Sequence, residues 1–483
     1  MAKSGQEKQA KSRQAEPESS ASAAGPAITL SRDGLARDHR LPVYRQLYQS
    51  IKAAILAGTF PNGARLPSSR SLATQLSLSR TTVDLAYGLL AGDGLVQGRT
   101  AKGTLVTSHI RRSAGTRGEP ASSGPGPHRE AIGPMPLAPD RTAVDLFSRE
   151  IWARLATRYA KRLLPEDLHR GAPAGVARLR EAIANRIRLL RGVECDASQV
   201  FVTAGTGCAV LLCAAALEMK ERPIVGDTAT LSASVCRALE TLGAMPMAPG
   251  LPAGVQGRWP DAAFALLNAD DFLLRDCTPD SASSEALAQW ARTHSAWLVE
   301  EDHDLDLFQD GFHASMLAGK PATQDRSIYL GSFERSLFPS IDCGFLIVPH
   351  ALIERFEHAA RQVPWPAPVH TQRIVSDFIT QGYIGRYANR LRRAHAERRR
   401  ITIDALKSGA ATRELRFEPA GTCLVARLSD AQAEAMQSAL QGSGLGAAVI
   451  SGPTLPRPLL RLGYAGTPPK ELPAAIARLN ALL

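Results

Sequence analysis

Residues 67–90 carry two short amphipathic patterns separated by a turn. In the second pattern, apolar residues recur at helical spacing, so one side of the predicted helix is buried. These positions are Val83, Ala86, Tyr87 and Leu90. A shorter apolar face precedes them, formed by Leu72, Ala73 and Leu76. Ser79 stands where a helix N-cap is expected, so the pattern predicts two helices joined by a turn.

The polar side of the second helix begins with Arg80, Thr81 and Thr82, a cation and two hydroxyls in one helical turn. A helix-turn-helix that enters the major groove presents such residues at the start of its second helix, where they meet base edges and phosphates. An ordinary helical hairpin with a polar surface gives the same pattern. The segment alone therefore leaves both interpretations open.

The flanking segments favour the DNA-binding interpretation. Residues 42–58 have apolar positions near helical spacing and end in a glycine, which predicts a helix before the pair. After the pair, the apolar runs 95–96 and 104–106 flank a basic segment that contains Arg99 and Lys102. Three helices followed by a two-stranded wing with a basic tip predict a winged helix-turn-helix.

From residue 144 onward, short apolar strands alternate with amphipathic helices. The predicted strands are 200–203, 224–225, 264–268, 297–300, 327–331 and 344–348. Such alternation predicts an α/β domain with a mainly parallel sheet. A helix-rich region then leads to strands at 423–428 and 459–463 and a terminal helix, which predicts a smaller α+β lobe.

The positive charge of the chain is concentrated near its start. The 483 residues have a formal net charge of +11, and residues 1–112 contribute +9 of it, from 16 Lys and Arg against 7 Asp and Glu. A basic excess confined to one region indicates a local polyanionic partner. Residues 1–40 are poor in packing residues and predict a disordered tail, and the Gly, Pro and Ser-rich residues 109–140 predict a flexible linker.

Cysteine usage and hydropathy indicate a cytoplasmic protein. The seven cysteines are scattered without a C-x-x-C pair, which favours reduced, buried thiols over a disulfide frame or a zinc site. No apolar run approaches the roughly 18 residues of a membrane span, and the polar N-terminus is unlike a secretory signal. We therefore expect no membrane association.

The segments LPSSRSLA, LSRTTV and KGT lie in register within residues 41–106, which closely resemble the DNA-binding domain of the GntR family. The resemblance implies double-stranded operator DNA as the partner. It also implies the residues that would contact DNA, which are Ser68, Arg70, Arg80, Thr81, Thr82, Lys102 and Gly103.

A second resemblance covers the rest of the chain. Residues 173–207, 327–349, 372–400 and 459–466 are similar to the fold-type I aminotransferase module. A GntR winged helix joined by a long linker to that module is the arrangement of MocR regulators. The implied domains are a winged helix at 41–108 and an α/β PLP-transferase-like domain at 141–483, with a large part at about 144–350 and a small lobe at about 385–483. The resemblance also implies a head-to-tail homodimer with pockets at the subunit interface.

The cofactor motif of that module is altered in this chain. In such enzymes a lysine Schiff base holds pyridoxal phosphate (PLP), and an acid pairs with the pyridinium nitrogen. The family motif Ser-Phe-Ser-Lys-Thr-Leu-Phe-Pro reads SFERSLFP here, so Arg335 takes the lysine position. A guanidinium stays protonated and is no amine nucleophile, so it forms no stable internal aldimine. We expect neither covalent PLP nor transaminase activity, and no catalytic residue is assigned.

Other positions of the same pocket also depart from the family. Glu301 replaces the pyridine-binding aspartate, and His303 replaces the tyrosine that faces the cofactor's phenolic oxygen. Asp342 replaces a basic residue that helps to hold the phosphate, and an anion beside a phosphate repels it. Because Glu301 could still pair with a pyridinium, non-covalent PLP remains the alternative.

Several polar residues of the pocket each have two possible roles. Gly205, Thr206 and Gly207 begin a predicted helix whose free N–H groups suit an anion, although glycine can also be needed there for steric reasons. Arg461 matches the family arginine that binds a substrate carboxylate, or it forms a structural ion pair. Arg335 either binds an acidic ligand or pairs with Glu301. The acidic run at 300–306 suits divalent ions, but strand residues alternate faces and cannot all converge, so no metal site is predicted.

Three hypotheses follow for the function. In the first, the chain is a transcription regulator whose aminotransferase-like domain dimerises and senses an effector. In the second, it is a PLP-binding regulator or a working cofactor enzyme that also regulates. In the third, it is a DNA-bound scaffold that recruits a partner protein.

Overall fold

The structure is a computed structural model with two compact units, Met1–His128 and Arg129–Leu483. It describes residues 41–99, 103–107, 135–139, 141–163, 165–169, 171–217, 222–226, 231–246, 261–268, 281–302, 306–307, 317–362, 366–409, 412–451, 455 and 457–482. The predicted tail and most of the predicted linker lie outside these residues. Within the described residues, no helix is both long and apolar enough to cross a bilayer.

Within its described residues, the first unit has three helices and a two-stranded wing. Its elements are α1 (Val43–Leu56), α2 (Ser69–Leu76), α3 (Arg80–Gly92), β1 (Val96–Arg99) and β2 (Gly103–Val106). The two strands are antiparallel, with Val96 opposite Val106. The apolar positions that predicted the helices form one buried core with α1, and several of them have no exposed surface; these are Leu47, Ile51, Leu72, Val83 and Leu90.

The turn between α2 and α3 depends on one residue with a left-handed backbone. Ser77 has φ +52° and caps α2, while Leu78 packs half-buried against the core. Serine tolerates this conformation less readily than glycine, so the packing of Leu78 helps to hold the turn. The chain then enters α3 through the N-cap residue Ser79.

The wing has a third segment that the sequence pattern did not reveal. Arg65 forms an isolated antiparallel bridge with Leu105. The amide of Leu66 donates to the carbonyl oxygen of Thr104 at 2.9 Å, and the amide of Val106 donates to that of Ala64 at 2.9 Å. The chain before α2 is therefore hydrogen-bonded to β2.

The second unit is an α/β domain followed by a smaller α+β lobe. Its helices are α4 (Arg149–Lys161), α5 (Ala177–Arg191), α6 (Gly205–Ala216), α7 (Ala233–Thr241), α8 (Ser281–Thr293), α9 (Ile353–Gln362), α10 (Val369–Thr380), α11 (Tyr383–Ser408), α12 (Asp430–Leu440) and α13 (Leu472–Leu482). Its strands are β3 (Val200–Thr203), β4 (Ile224–Gly226), β5 (Met245–Pro246), β6 (Phe264–Asn268), β7 (Trp297–Asp302), β8 (Ser327–Ser332), β9 (Gly344–Ile347), β10 (Phe417–Ala420), β11 (Cys423–Arg427), β12 (Ala448–Ile450) and β13 (Leu459–Gly463).

The large sheet of this unit is mainly parallel, as predicted. Its strand order is β3-β9-β8-β7-β6-β4-β5, with antiparallel pairing at β3–β9 and β9–β8 and parallel pairing elsewhere. Apolar side chains on both faces pack into separate core clusters, which explains why the strands read as continuous apolar runs. The carboxyl end of β7 extends to Asp302, two residues beyond the predicted strand.

The smaller lobe is built on a four-stranded antiparallel sheet with the order β10-β11-β13-β12. Helices α12 and α13 and the C-terminal half of α11 contribute to its core. The predicted fold class, a winged helix followed by an α/β domain and a small α+β lobe, is confirmed. The short strands β5, β10 and β12 were missed, because two to four residues carry too little periodicity.

Candidate functional sites

The start of α3 is held in place by its N-cap. The hydroxyl of Ser79 accepts a hydrogen bond from the amide of Thr82 at 3.1 Å and lies 2.7 Å from the Thr82 hydroxyl. The same amide also donates to the carbonyl oxygen of Ser79 at 3.1 Å, and together these contacts fix the first turn of α3. Ser68 caps α2 in the same way by accepting from the amide of Ser71 at 3.1 Å.

The residues predicted to contact DNA lie mostly at the protein surface. Ser68, Arg70, Arg80, Thr81 and Gly103 are exposed, and Thr82 is half-buried. The Arg80 side chain is 72% exposed, with its Nε 3.5 Å from Asp84 Oδ2. Lys102 lies outside the described residues. Their predicted DNA contacts stay a prediction, and their exposure is compatible with it.

One further basic residue lies beside the wing. Arg65 is exposed, and its Nε would be 3.5 Å from a Cβ placed on Gly103. Gly103 has φ +76°, a backbone conformation that favours glycine at the start of β2. The sequence places Arg65 38 positions away from Gly103, so only the pairing of residues 64–66 with the wing reveals this proximity.

A second candidate site lies at the N-terminus of α6, where the sequence places a possible anion site at Gly205, Thr206 and Gly207. Gly205 begins this helix with φ +79°, and a Cβ on it would lie 3.1 Å from Glu334 Oε1 and 3.9 Å from Asp342 Oδ1. Two carboxylates of the chain itself therefore approach the helix N-terminus. Gly207 is constrained as well, because its Cβ would lie 2.8 Å from the carbonyl oxygen of Ser234.

Two neighbouring thiols have raised pKa values, and the two carboxylates contribute to the increase. Burial raises the pKa of Cys208, in the first turn of α6, and the negative charge of Asp342 raises it further. Burial raises the pKa of Cys343 to about 12, with an added contribution from Glu334. A thiolate is disfavoured at both positions, mainly by burial and to a smaller extent by the two carboxylates.

The carboxylate of Glu301 is engaged by residues of the chain. Glu301 is fully buried, and the hydroxyl of Ser232 donates to its Oε1 at 2.9 Å. Ser232 lies 3.2 Å from the hydroxyl of Ser234, which is 2.7 Å from that of Thr206. A chain of hydroxyls thus links Glu301 to the helix that begins at Gly205.

The acidic residues of β7 face opposite sides of the sheet, as strand alternation predicts. Glu300 accepts hydrogen bonds from the amides of Leu317 and Ala318, at 3.1 and 3.0 Å. Asp302 binds Arg191 and Tyr329. In the part of the chain that the structure describes, no three His, Cys, Asp or Glu side chains are grouped as a metal site would require.

The remaining predicted pocket residues are distributed over different elements. Arg335 lies between β8 and β9 with 8% of its surface exposed. Asp342 lies in the same connection, just before β9, and has a left-handed backbone with φ +43°. Arg461 lies on β13 of the small sheet, half-buried, with its Nη2 4.0 Å from Cys423 Sγ. His303 falls outside the described residues. The structure brings Gly205, Glu334 and Asp342 together, and separately brings Thr206 near Glu301.

Known proteins and solved structures are similar to both units of the chain. Residues 43–106 match the family "Bacterial regulatory proteins, gntR family". The probable rhizopine catabolism regulatory protein MocR of Rhizobium meliloti is 30% identical over 480 residues, covering 92% of this chain and 95% of that protein. The pyridoxine biosynthesis transcriptional regulator PdxR of Corynebacterium glutamicum is 29% identical, covering 75% of this chain and 78% of that protein.

Solved structures show the same fold for the second unit. The α-aminoadipate aminotransferase LysN of Thermus thermophilus superposes with a TM-score of 0.58 at 20% identity, over 72% of this chain and 92% of that one. A mutant aspartate aminotransferase of Thermus thermophilus gives 0.57 at 18% identity, over 72% and 96%. At these identities the likeness concerns the fold alone. Together with the regulators, it shows that the chain belongs to the MocR-type transcription regulators of the GntR family.

Proposed function

We propose that this regulator binds operator DNA as a homodimer and that its aminotransferase-like domain joins the subunits and senses a small-molecule effector without covalent PLP. The winged unit would read DNA through the predicted residues at the starts of α2, α3 and β2. The proposed boundaries are 41–108 for this unit and 141–483 for the aminotransferase-like domain. The protein would act in the cytoplasm.

The observation that carries the proposal is the chemistry of the pocket. The residues present do not fit a covalently bound PLP, because Arg335 offers no neutral amine for a Schiff base. Glu334 and Asp342 approach the helix N-terminus that would hold the phosphate. Glu301, which takes the position of the pyridine-binding aspartate, accepts a hydrogen bond from Ser232.

The dimer and the effector are supported by the retained fold. A chain without a lysine at the Schiff-base position that keeps the fold, with a buried core in both the large part and the small lobe, would retain it for another use. Arg461 is our candidate for binding an effector carboxylate. A purified full-length chain should have a mass twice 51.7 kDa in light scattering, and a monomer at micromolar concentration would contradict the dimer.

Non-covalent PLP is the second candidate, favoured by the buried carboxylate of Glu301 and by the similarity to a regulator named for pyridoxine biosynthesis. Thermal-shift measurements with PLP, its vitamers and amino acids would separate the candidates. A stabilising metabolite other than a vitamer favours the effector, stabilisation by PLP alone favours the second candidate, and uniform absence of stabilisation favours a scaffold.

Borohydride reduction tests the absence of a Schiff base directly. The full-length protein is incubated with PLP, reduced, digested and searched for pyridoxyl-lysine in the peptides around Lys320 and residue 335. We expect no stoichiometric adduct on the wild-type chain, since position 335 lacks an amine.

Arg335→Lys is the matched control, because it supplies an amine at the same place in the same fold. Modification of the new lysine in this variant would show that the reagent reaches the pocket. A visible chromophore that survives dialysis of the wild-type protein and becomes fixed to a lysine on reduction would contradict the proposal.

A further inference from the structure

Two helices of the second unit carry an excess of arginine. Helix α11 has eight Lys and Arg against two Asp and Glu, and α4 has four against one. Residues 113–483 as a whole have a net charge of +2, the difference between +11 for the chain and +9 for residues 1–112. The positive charge on these helices is therefore a local feature of the domain.

The two helices bring these arginines together. Arg154 of α4 donates from Nη2 to the hydroxyl of Tyr383, the first residue of α11, at 2.9 Å. The Tyr383 ring centroid lies 5.7 Å from Arg154 Cζ and 5.0 Å from Arg386 Cζ. The two guanidinium carbons are therefore at most 10.7 Å apart, the sum of those distances. Arg390 donates from Nη2 to the carbonyl oxygen of Leu146 at 2.6 Å and to the hydroxyl of Ser148 at 2.7 Å. Ser148 directly precedes Arg149, the first residue of α4, so Arg390 lies beside the start of that helix.

Four of these arginines form what we call the arginine surface: Arg149, Arg154, Arg386 and Arg390. All four are exposed. Among the described residues, none of the four has a carboxylate at salt-bridge distance. Nearby Arg158 and Arg178 differ, because both pair with the buried Asp377. The neighbouring arginines therefore share one carboxylate, whereas these four have none within salt-bridge distance among the described residues.

Such an arrangement suits a polyanion. Like charges held close together destabilise the free protein, and a bound row of anions relieves that repulsion. A guanidinium presents several donors in a plane that matches phosphate oxygens, and contact with an aromatic ring restricts its motion before binding. Arg154, Arg386 and Arg390 each donate hydrogen bonds within the described residues from Nη2, to neutral oxygens, which leaves Nε and Nη1 of these side chains for phosphate oxygens.

We propose that the arginine surface contacts the phosphate backbone of duplex DNA. DNA is the polyanion that this chain already engages through its winged unit, so the local concentration of phosphates beside the second unit is high. One strand of DNA carries a charge about every 3.4 Å along the axis, so two guanidiniums within 10.7 Å can reach phosphates of one strand. Contacts of this kind add affinity without base specificity.

Salt dependence of DNA binding tests the inference in the full-length protein. The probe is a random-sequence duplex several helical turns long, titrated at a series of salt concentrations. The variant is the triple substitution Arg149→Gln, Arg154→Gln and Arg386→Gln. We expect the slope of log K against log salt to become shallower by roughly 2–3, since each phosphate contact contributes about 0.9.

A charge-matched variant controls for net charge. Arg237, Arg416 and Arg457 are exposed arginines on other elements of the same unit, and replacing all three with glutamine should leave the slope nearly unchanged. Equal slope changes in both triple variants would overturn the inference, because they would reflect overall charge. If the first triple variant fails to fold, each of its single substitutions should change the slope by about 0.9.

Two further outcomes separate this inference from the proposed function. Arg80→Ala is measured on the same probe. If it weakens binding while the arginine-surface variant keeps the wild-type slope, the winged unit binds DNA and the inference is wrong. If the arginine-surface variant loses the dimer mass and keeps the slope, the surface joins two copies of the chain and the inference is also wrong.

Discussion

Replacing Arg80 with alanine is expected to weaken operator binding by about 1–3 kcal/mol, or roughly 5- to 150-fold. The side chain is 72% exposed in the first turn of α3, the part of a recognition helix that meets base edges and phosphates. Its contact with Asp84 is a 3.5 Å surface pair between neighbouring helical turns. Such pairs contribute little stability, so the loss should appear in DNA binding with the melting temperature nearly unchanged.

The measurement is fluorescence anisotropy with operator fragments recovered by chromatin mapping, compared with scrambled duplexes. If Arg80 reads a base, the loss is larger for the operator, and specificity is relaxed. An equal loss on all sequences, with a shallower salt slope, would assign it to a phosphate.

Asp84→Ala is the matched control, since it removes the other half of the same surface pair. We expect unchanged or tighter binding, because an anion beside the DNA is lost. If Asp84→Ala weakened binding as much as Arg80→Ala, the pair would act by shaping α3, and direct contact by Arg80 would be contradicted.

The winged unit was predictable from local sequence because its determinants are local. The apolar periodicity of α3 and the N-cap at Ser79 lie within a dozen residues of each other, and both appear in the structure. The proximity of Arg65 to the wing was missed, because it depends on a backbone bridge to Leu105, 40 positions further along the chain.

The sequence predicted which residues replace those of the cofactor pocket, but not which contacts these residues make. The replacement of the expected lysine by Arg335 is visible in the sequence, as are Glu301 and Asp342. The approach of Glu334 to Gly205 links residues 129 positions apart, and the bond from Ser232 to Glu301 links residues 69 apart. Contacts at such separations follow from how α6 and α7 pack on the sheet, which periodicity does not specify.

These contacts change the interpretation of the acidic run at the end of β7. In the sequence it resembles a cofactor motif with two substitutions, Glu301 and His303. In the structure Glu300, Glu301 and Asp302 each accept hydrogen bonds from other residues of the chain, in three different places. Removing one partner of a buried, hydrogen-bonded carboxylate leaves the other partner buried and unsatisfied, which destabilises the fold whether or not a ligand binds.

Replacing Asp302 with alanine should therefore destabilise the second unit by about 3–5 kcal/mol, the usual cost of breaking a buried ion pair from one side. Asp302 Oδ2 accepts hydrogen bonds from Arg191 Nε and the Tyr329 hydroxyl, each at 2.5 Å. Arg191 is 2% exposed and Tyr329 fully buried, so water cannot replace the lost partner. Burial lowers the pKa of Arg191, but the charge of Asp302 more than offsets this and the net pKa is raised.

Urea unfolding followed by circular dichroism measures the effect, and Asp261→Ala serves as the control. Asp261 pairs with Arg222 at 2.6 Å, but its side chain is 65% exposed, so its loss should cost at most about 1 kcal/mol. Each variant removes one aspartate carboxylate from an ion pair with an arginine, and the two ion pairs differ in burial. A similar small change in both would mean that Asp302 is solvated or replaceable, and that the end of β7 does not stabilise the fold through its buried charges.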